Sequence, residues 1–253
     1  MTTSSLTSAA HEAPPLGATA IETVFEALLQ DIVRGTYPAG ARLPAERELA
    51  RILGASRPTL REALRRLGEW QLVEPRRGSG VVVRPLRDWS IEVLPAYLRY
   101  GKPAPGAPSV ARMLLDLLEL RRAFFSDVIR LVAPRMKAAH TSTMPARAAL
   151  ARAWAARHNP ALFPREDFAV IRAIVETAQF VPAIWMLNRL SRVYLEIAET
   201  VAGSAKIPED YLDAHSRLLD ALDRGDGDTA VTIISDYMER HDRGFVQTLE
   251  AFA

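Results

Sequence analysis

Hydrophobic side chains recur at helical spacing in the first third of the chain and predict three short helices. The first apolar face runs over residues 21–33, and Gly35 marks the end of its helix. The second helix begins after Leu43-Pro44, because proline suits a first helical turn, and Gly54 marks its end. Ser56 can cap the third helix. The apolar face of this third helix consists of Leu60, Ala63, Leu64 and Leu67.

A hairpin pattern follows the third helix. The run Leu72–Pro75 and the β-branched run Val81–Val83 flank a basic turn that contains Gly78 and Gly80. Three helices and a basic hairpin are the components of a winged helix-turn-helix. The side of the third helix that its apolar face leaves free carries Arg57, Arg61 and Arg65. Such a helix can enter a major groove, where arginine pairs with guanine or phosphate. The alternative is a solvated amphipathic helix beside an ordinary hairpin.

The charge of the chain is unevenly placed. Residues 14–87 contain twelve arginines, no lysine and eight acidic residues, a net charge of +4. Residues 88–253 contain twenty basic and twenty-one acidic residues, so this part is close to neutral. A basic first part on a nearly neutral body indicates an anionic partner for the first part alone.

Composition excludes several classes of protein. The chain contains no cysteine, which excludes a disulfide scaffold and a Cys-based zinc site. No run approaches the roughly 18 apolar residues of a membrane-spanning helix, so we expect no membrane partner. The first twenty residues lack the basic and apolar regions of a secretory signal. We therefore expect a cytoplasmic protein in which residues 1–17 form a disordered lead.

Two segments, residues 42–50 (RLPAERELA) and residues 53–64 (LGASRPTLREAL), resemble the GntR-type transcriptional regulators. The resemblance spans roughly residues 20–85. It implies that three arginines contact DNA, that two hydroxyl residues lie beside phosphate or base, and that the wing tip enters the minor groove. The residues implied are Arg47, Arg57 and Arg61, then Ser56 and Thr59, then Arg77 and Gly78. Trp70-Gln71 stands where the family usually has a glycine, and we expect a local change in that turn.

Residues 88–253 show helical periodicity without strand alternation, which predicts an all-α bundle of six or seven helices. On the longest helix we expect Leu114, Leu115, Leu118, Phe125, Val128 and Leu131 to face inward. The predicted helices are Trp89–Tyr100, Val110–Met136, Met144–Arg157, Pro164–Ala178, Val181–Val201, Pro208–Asp223 and Asp228–Phe252. The predicted fold class is therefore mainly α, with an N-terminal winged helix-turn-helix and a C-terminal helical bundle.

This body resembles the C-terminal ligand-binding domain of the FadR subfamily of GntR regulators. The matching features are the helix around Arg121, the run Glu166–Phe168, and His215 followed by Gly225-Asp226. The resemblance implies a winged helix-turn-helix domain at 18–87 and a connecting helix and linker at 88–108. Residues 109–253 would then be the α-helical effector-binding and dimerisation domain.

Many members of that subfamily bind a divalent metal through one aspartate and three histidines. The matching positions here are Asp167, Ile171, His215 and Tyr237, of which two can serve as ligands. Because two protein ligands rarely hold zinc or nickel, we predict no metal and no cofactor. His241, four residues beyond Tyr237, would complete a set if the last helix were shifted by one turn, so that alternative stays open.

The metal-free pattern resembles the branch of the subfamily that responds to long-chain acyl-CoA and regulates fatty-acid metabolism. It implies an acyl pocket near the last helices, with Arg121 and Arg192 available for phosphates or a carbonyl. The predicted effector-binding residues are Arg121, Asp167, Tyr194, His215, Tyr237 and Phe245. Core packing of the aromatic residues, and an ion pair between Arg121 and Asp167, are the structural alternatives. A compact polar pocket would instead favour a small organic acid.

The expected protein is a homodimeric repressor or activator that reads a palindromic operator on double-stranded DNA under the control of a small effector. An enzyme fused to a helix-turn-helix module is the main competing class. The chain shows no Gly-rich phosphate loop and no Ser/His/Asp set, so we predict no catalytic residues and no enzymatic activity. A purely architectural DNA binder would leave the helical body without a role.

Overall fold

The computed structural model describes residues 19–102, 108–201 and 207–250, with side chains omitted at 200–201 and 243–250. The chain divides into two compact units, Met1–Ala107 and Pro108–Ala253. The predicted lead at 1–17 and part of the predicted linker, residues 103–107, lie outside the described residues.

The first unit has the predicted winged helix-turn-helix fold. Its elements are α1 (Ala20–Val33), α2 (Glu46–Ile52), α3 (Arg57–Glu69), β1 (Val73–Arg76), β2 (Gly80–Val83) and α4 (Leu94–Tyr100). The two strands are antiparallel, with Val73 opposite Val83. The stretch before α2 also pairs with β2, because the Leu43 amide donates to the Val81 carbonyl at 2.9 Å. The wing is thus anchored to the helical core along the outer edge of β2.

Apolar faces of the three helices meet in a hydrophobic core. Leu28, Leu60 and Leu67 are fully buried, and the Phe25 ring packs edge-on against Trp70 at 4.9 Å between centroids. The turn at Trp70-Gln71, where we expect a local change, follows α3 directly. Gln71 itself adopts the left-handed backbone, at φ 61°, that glycine favours, and its side-chain amide donates to the Gly68 carbonyl at 3.2 Å. That local hydrogen bond supports the strained conformation.

The start of α3 depends on one side chain. The Ser56 hydroxyl accepts a hydrogen bond from the Thr59 amide at 3.2 Å, which satisfies one free N–H group of the first turn. Replacing Ser56 with alanine should lower the free energy of unfolding by about 1 kcal/mol. Urea denaturation followed by circular dichroism measures this loss. The variant Ser56→Asp should retain most of the stability, since aspartate also caps helices. If the Ser56→Ala variant is as stable as the parent, the Ser56 cap does not stabilise the protein.

The connecting helix is shorter than predicted. The sequence predicts one helix over Trp89–Tyr100, whereas the structure has two 3-10 turns, at Leu86–Asp88 and Ile91–Val93, and then α4. Pro95 explains the late start. Proline has no amide hydrogen to donate, so it fits the first turn of α4 and would remove a hydrogen bond from a helix running through it.

The second unit is the predicted all-α bundle. Its helices are α5 (Val110–Ala139), α6 (Met144–Ala155), α7 (Phe163–Thr177), α8 (Val181–Val201), α9 (Tyr211–Asp223) and α10 (Gly227–Glu250). The predicted ends differ from these by three residues at most. None of the helices in the described part of the chain is long and apolar enough to cross a membrane.

The inward face of α5 differs from the predicted one. Leu114 and Val128 are buried as expected, but Leu115 is 38% exposed and Leu131 is 47% exposed. The buried line continues instead through Ile129, Val132, Ala133 and Met136. At 3.6 residues per turn, Leu131 points about 130° away from the centre of that line. The helices packed around α5, rather than its own leucine spacing, decide which face is inside.

Candidate functional site

Three arginines lie on the exposed face of α3, and they differ in whether an acidic side chain pairs with them. Arg57 has no ion-pair partner among the described residues. Arg61 donates through Nε to Glu46 of α2 at 2.8 Å. Arg65 is held by Glu62 at 2.5 Å and also by Glu69. Its hydrogen bond keeps the pKa of the Glu62 carboxyl below its usual range. Of these three arginines, Arg57 is therefore the one without an ion-pair partner among the described residues, and Arg65, which lies between two carboxylates, is the least available.

The positive end of α3 adds to this basic surface. Thr59 lies in the first turn, with its hydroxyl 2.7 Å from that of Ser56, and Arg57 is the first residue of the helix. Arg47 on α2 is exposed and, within the described part of the chain, has no ion-pair partner. Free amides, a helix dipole and the guanidinium group of Arg57 at the start of α3 form an anion-binding surface.

The wing tip presents a second basic point. Gly78 has φ +77°, and nothing lies within 4 Å of the position that a Cβ atom would take. Glycine is thus required by the backbone conformation, and the space beside it is open to a partner. Arg77 next to it is exposed, while the neighbouring Arg76 donates to Glu74 at 2.7 Å. The predicted contacts Arg77 and Gly78 are both accessible at the tip.

A small cavity of about 70 Å³ lies inside the second unit, among side chains of α5, α7, α8, α9 and α10. Four of the six predicted effector residues line it: Arg121, Asp167, Tyr194 and His215. Apolar side chains such as Phe125, Ile174 and Met238 complete the wall. The cavity therefore combines one guanidinium group and a few polar atoms with a mainly hydrophobic surface, as small-molecule sites generally do.

Two tyrosine hydroxyls hold the carboxylate of Asp167. Tyr194 donates to Oδ2 at 2.6 Å, and Tyr211 donates to Oδ1 at 2.7 Å. Burial, together with the charge of Asp167, raises the pKa of both tyrosines well above the usual range, so both stay protonated donors at neutral pH. Tyr211 was missed from the sequence. Its position four residues before His215, on the same helical face, was the available signal.

The residues present do not fit the metal site of the subfamily. Both oxygens of Asp167 accept tyrosine hydrogen bonds, and Ile171 offers no ligand atom. Burial raises the pKa of Tyr237, so its phenol stays neutral. The described ranges contain no group of three or more His, Asp or Glu side chains that could hold a metal ion. His241, the open alternative, lies with Nε2 2.8 Å from Asp210 Oδ1 instead.

One ring nitrogen of His215 is a hydrogen-bond donor. Its Nδ1 lies 2.7 Å from the Tyr211 carbonyl oxygen, which can only accept, so Nδ1 carries a proton. The Tyr237 ring packs edge-on against the His215 ring at 5.1 Å but does not line the cavity. The side chain of Phe245 lies outside the described residues. Arg192 also lies apart, exposed and paired with Glu196 at 2.6 Å.

The alternative of an ion pair between Arg121 and Asp167 is not realised. Arg121 of α5 donates through Nη2 to Oδ1 of Asp242 on α10 at 2.6 Å, while Asp167 is engaged by the two tyrosines. Burial raises the pKa of Asp242, and the neighbouring Arg121 lowers it. Asp242 is a further residue of the site that the sequence analysis missed, because a lone acidic residue near a chain end carries no recognisable pattern.

Comparison with known proteins agrees with both units. Residues 20–83 match the profile of "Bacterial regulatory proteins, gntR family", and residues 116–240 match the FCD domain. The chain is 32% identical over 224 residues to the HTH-type transcriptional regulator Mce2R of Mycobacterium tuberculosis, covering 86% of this chain and 88% of that protein. The chain belongs to the GntR family. This GntR regulator is a DNA-binding transcriptional regulator with a C-terminal FCD effector-binding domain.

Two further comparisons are more distant. The GntR regulator is 24% identical over 216 residues to the "Fatty acid metabolism regulator protein" of Erwinia tasmaniensis, covering 85% of this chain and 86% of that protein. A solved structure described as "Lar controls the expression of the Listeria monocytogenes agr system and mediates virulence" superposes with a TM-score of 0.62 at 15% identity, covering 91% of this chain and 98% of that chain. The latter likeness shows the fold alone.

Proposed function

We propose that this GntR regulator binds a palindromic operator as a homodimer and that a small organic anion, bound at Arg121, changes its affinity for the operator. Residues 18–87 would form the DNA-binding domain, 88–108 the connection, and 109–253 the effector-binding and dimerisation domain. The proposed DNA contacts are Arg47, Ser56, Arg57, Thr59, Arg61, Arg77 and Gly78. Because its partner is bacterial DNA, we place the protein in the cytoplasm.

The observation that carries the effector class is the composition and size of the cavity. Among the described residues that line it, the cationic side chain is Arg121, and both oxygens of the Asp167 carboxylate already accept hydrogen bonds from tyrosines. The volume of the cavity is about 70 Å³. Pockets for drug-sized ligands measure about 300–1,000 Å³. A compact carboxylate suits this space without a large rearrangement.

A long-chain acyl-CoA is the second candidate effector. The mainly apolar wall of the cavity and the distant likeness to a fatty acid metabolism regulator favour it. This candidate requires the cavity to widen, because a long acyl chain is itself drug-sized or larger. A pathway of fatty-acid metabolism would follow from this candidate, and a small organic-acid pathway from the first.

We infer no enzymatic activity. The relatives that the chain matches are described as transcriptional regulators, and both oxygens of the Asp167 carboxylate accept hydrogen bonds from tyrosines. The described residues that line the cavity include no serine, threonine or cysteine that could act as a nucleophile. The cavity residues therefore act in binding.

Calorimetry tests the effector class directly. The purified regulator and its Arg121→Met variant are titrated with acetate, succinate, palmitoyl-CoA and free CoA. We expect a small carboxylate to bind the parent and to lose about tenfold or more in affinity for Arg121→Met, since a hydrogen-bonded charge is removed. Tight binding of palmitoyl-CoA without binding of either carboxylate would instead establish the second candidate.

A further inference from the structure

The ion pair between Arg121 and Asp242 is incomplete. The two side chains are joined by a single hydrogen bond of 2.6 Å, and their side chains are 30% and 13% exposed. The other oxygen, Oδ2 of Asp242, and the Nε of Arg121 are both buried and have no hydrogen-bond partner in the described part of the chain. A guanidinium group can offer a carboxylate two parallel hydrogen bonds, and this pair uses one.

We propose that Asp242 acts as an internal anion. It holds Arg121 when no effector is bound, and an anionic effector displaces it from Arg121. This inference rests on the proposed function and specifies its regulation. Asp242 is then the residue that sets how tightly the cavity binds anions, and it links occupancy of the cavity to the end of α10.

The geometry favours such an exchange. Arg121 lines the cavity, so an anion that enters it meets the same guanidinium group that Asp242 contacts from α10. The unused Nε donor gives the incoming anion a hydrogen bond that Asp242 does not make. The existing bond to Asp242 opposes binding, because it must first be broken.

Displacement has a consequence for α10. Without Arg121, Asp242 would be a mostly buried carboxylate that has lost its ion-pair partner, which is unfavourable. Arg122 and His241 are the other basic groups close enough to lower the pKa of Asp242. The carboxylate can recover by moving toward them or toward water, and the two turns of α10 that follow, residues 243–250, move with it. Binding at Arg121 and the position of this segment are thereby coupled.

The variant Asp242→Asn tests the exchange, since it removes the charge and keeps the size. With acetate as the probe, we expect its affinity to rise about tenfold over the parent in calorimetry, because the competing charge is gone. In the parent, acetate should accelerate hydrogen exchange of the amides of residues 236–250. In Asp242→Asn, these amides should exchange at that faster rate without acetate. Asp236→Asn, an exposed position on the same helix, is the matched control and should change neither quantity.

The outcomes separate this inference from the proposed function. In one outcome, acetate binding depends on Arg121 while Asp242→Asn alters neither the affinity for acetate nor the hydrogen-exchange rates. That result refutes the role of Asp242 as an internal anion and leaves the proposed effector site in place. If neither the parent nor the variants bind acetate, or if Arg121→Met binds it as tightly as the parent, displacement of Asp242 by an anion at Arg121 is refuted as well. The parent alone gives an independent check should Asp242→Asn unfold. Acetate must accelerate exchange at 236–250, and unchanged exchange at saturation would overturn the proposal.

Discussion

Replacing Arg57 with alanine should weaken operator binding by about 10- to 100-fold, which corresponds to roughly 1–3 kcal/mol for a lost arginine contact to base or phosphate. Arg57 is the first residue of α3 and lies at its positive end without an ion-pair partner among the described residues. It can therefore engage DNA without breaking another bond, whereas Arg61 must share its guanidinium with Glu46. Fluorescence anisotropy with an operator selected from random duplex DNA measures the loss.

Two controls make the Arg57 result specific. Arg217→Ala removes the same charge from an exposed position on α9, 3.6 Å from Asp213, and should leave operator affinity unchanged. Thermal unfolding of Arg57→Ala should match the parent, because the side chain is exposed. If Arg57 contacts phosphate, the slope of log affinity against log salt falls by about 1. Parent-like affinity in Arg57→Ala would mean that the start of α3 does not face the DNA.

Replacing Asp167 with leucine should lower the free energy of unfolding of the second unit by about 3 kcal/mol, because two tyrosine hydroxyls lose their acceptor. Tyr211 is 3% exposed, so its hydroxyl has little access to water as a substitute. The hydroxyl of Tyr194 loses a hydrogen bond of 2.6 Å. Urea denaturation monitored by far-ultraviolet circular dichroism gives the change.

A triple variant separates the stability lost through unpaired hydrogen-bond donors from the stability lost through the changed side-chain packing. Adding Tyr194→Phe and Tyr211→Phe to Asp167→Leu removes the donors along with the acceptor. Most of the lost stability should return, since removing both partners of a buried hydrogen bond costs far less than removing one. A single Asp167→Leu variant within about 0.5 kcal/mol of the parent would contradict the account, because surface substitutions are of that size.

Local chemistry made the first unit predictable. Ser56 caps α3, Pro58 fits its first turn, and Gly78 and Gly80 adopt the left-handed conformations that the wing turn requires. Each of these depends on residues within four positions along the chain, so the sequence carries them directly. The same holds for the broad outline of the bundle, whose helices follow from their apolar periodicity.

Contacts between distant residues were not predictable in the same way. Arg121 has acidic candidates on several helices, and only packing selects Asp242, 121 residues further along the chain. The burial of Val132 in place of Leu131 likewise follows from the helices packed around α5. Arg121, Asp167, Tyr194 and His215 were each named from the sequence, but the cavity that they share, and the hydrogen bond from Tyr211 to Asp167, depend on tertiary structure.

The central claim is that an anion bound at Arg121 controls binding to DNA. The most direct test measures operator affinity with and without the carboxylate that calorimetry finds to bind most tightly, in the parent and in Arg121→Met. We expect that carboxylate to change the affinity of the parent by about fivefold or more, the lower range of measured couplings between sites. We expect no change in Arg121→Met, which should still bind the operator. An equal response in both proteins, or none in the parent at saturating carboxylate, would contradict the claim.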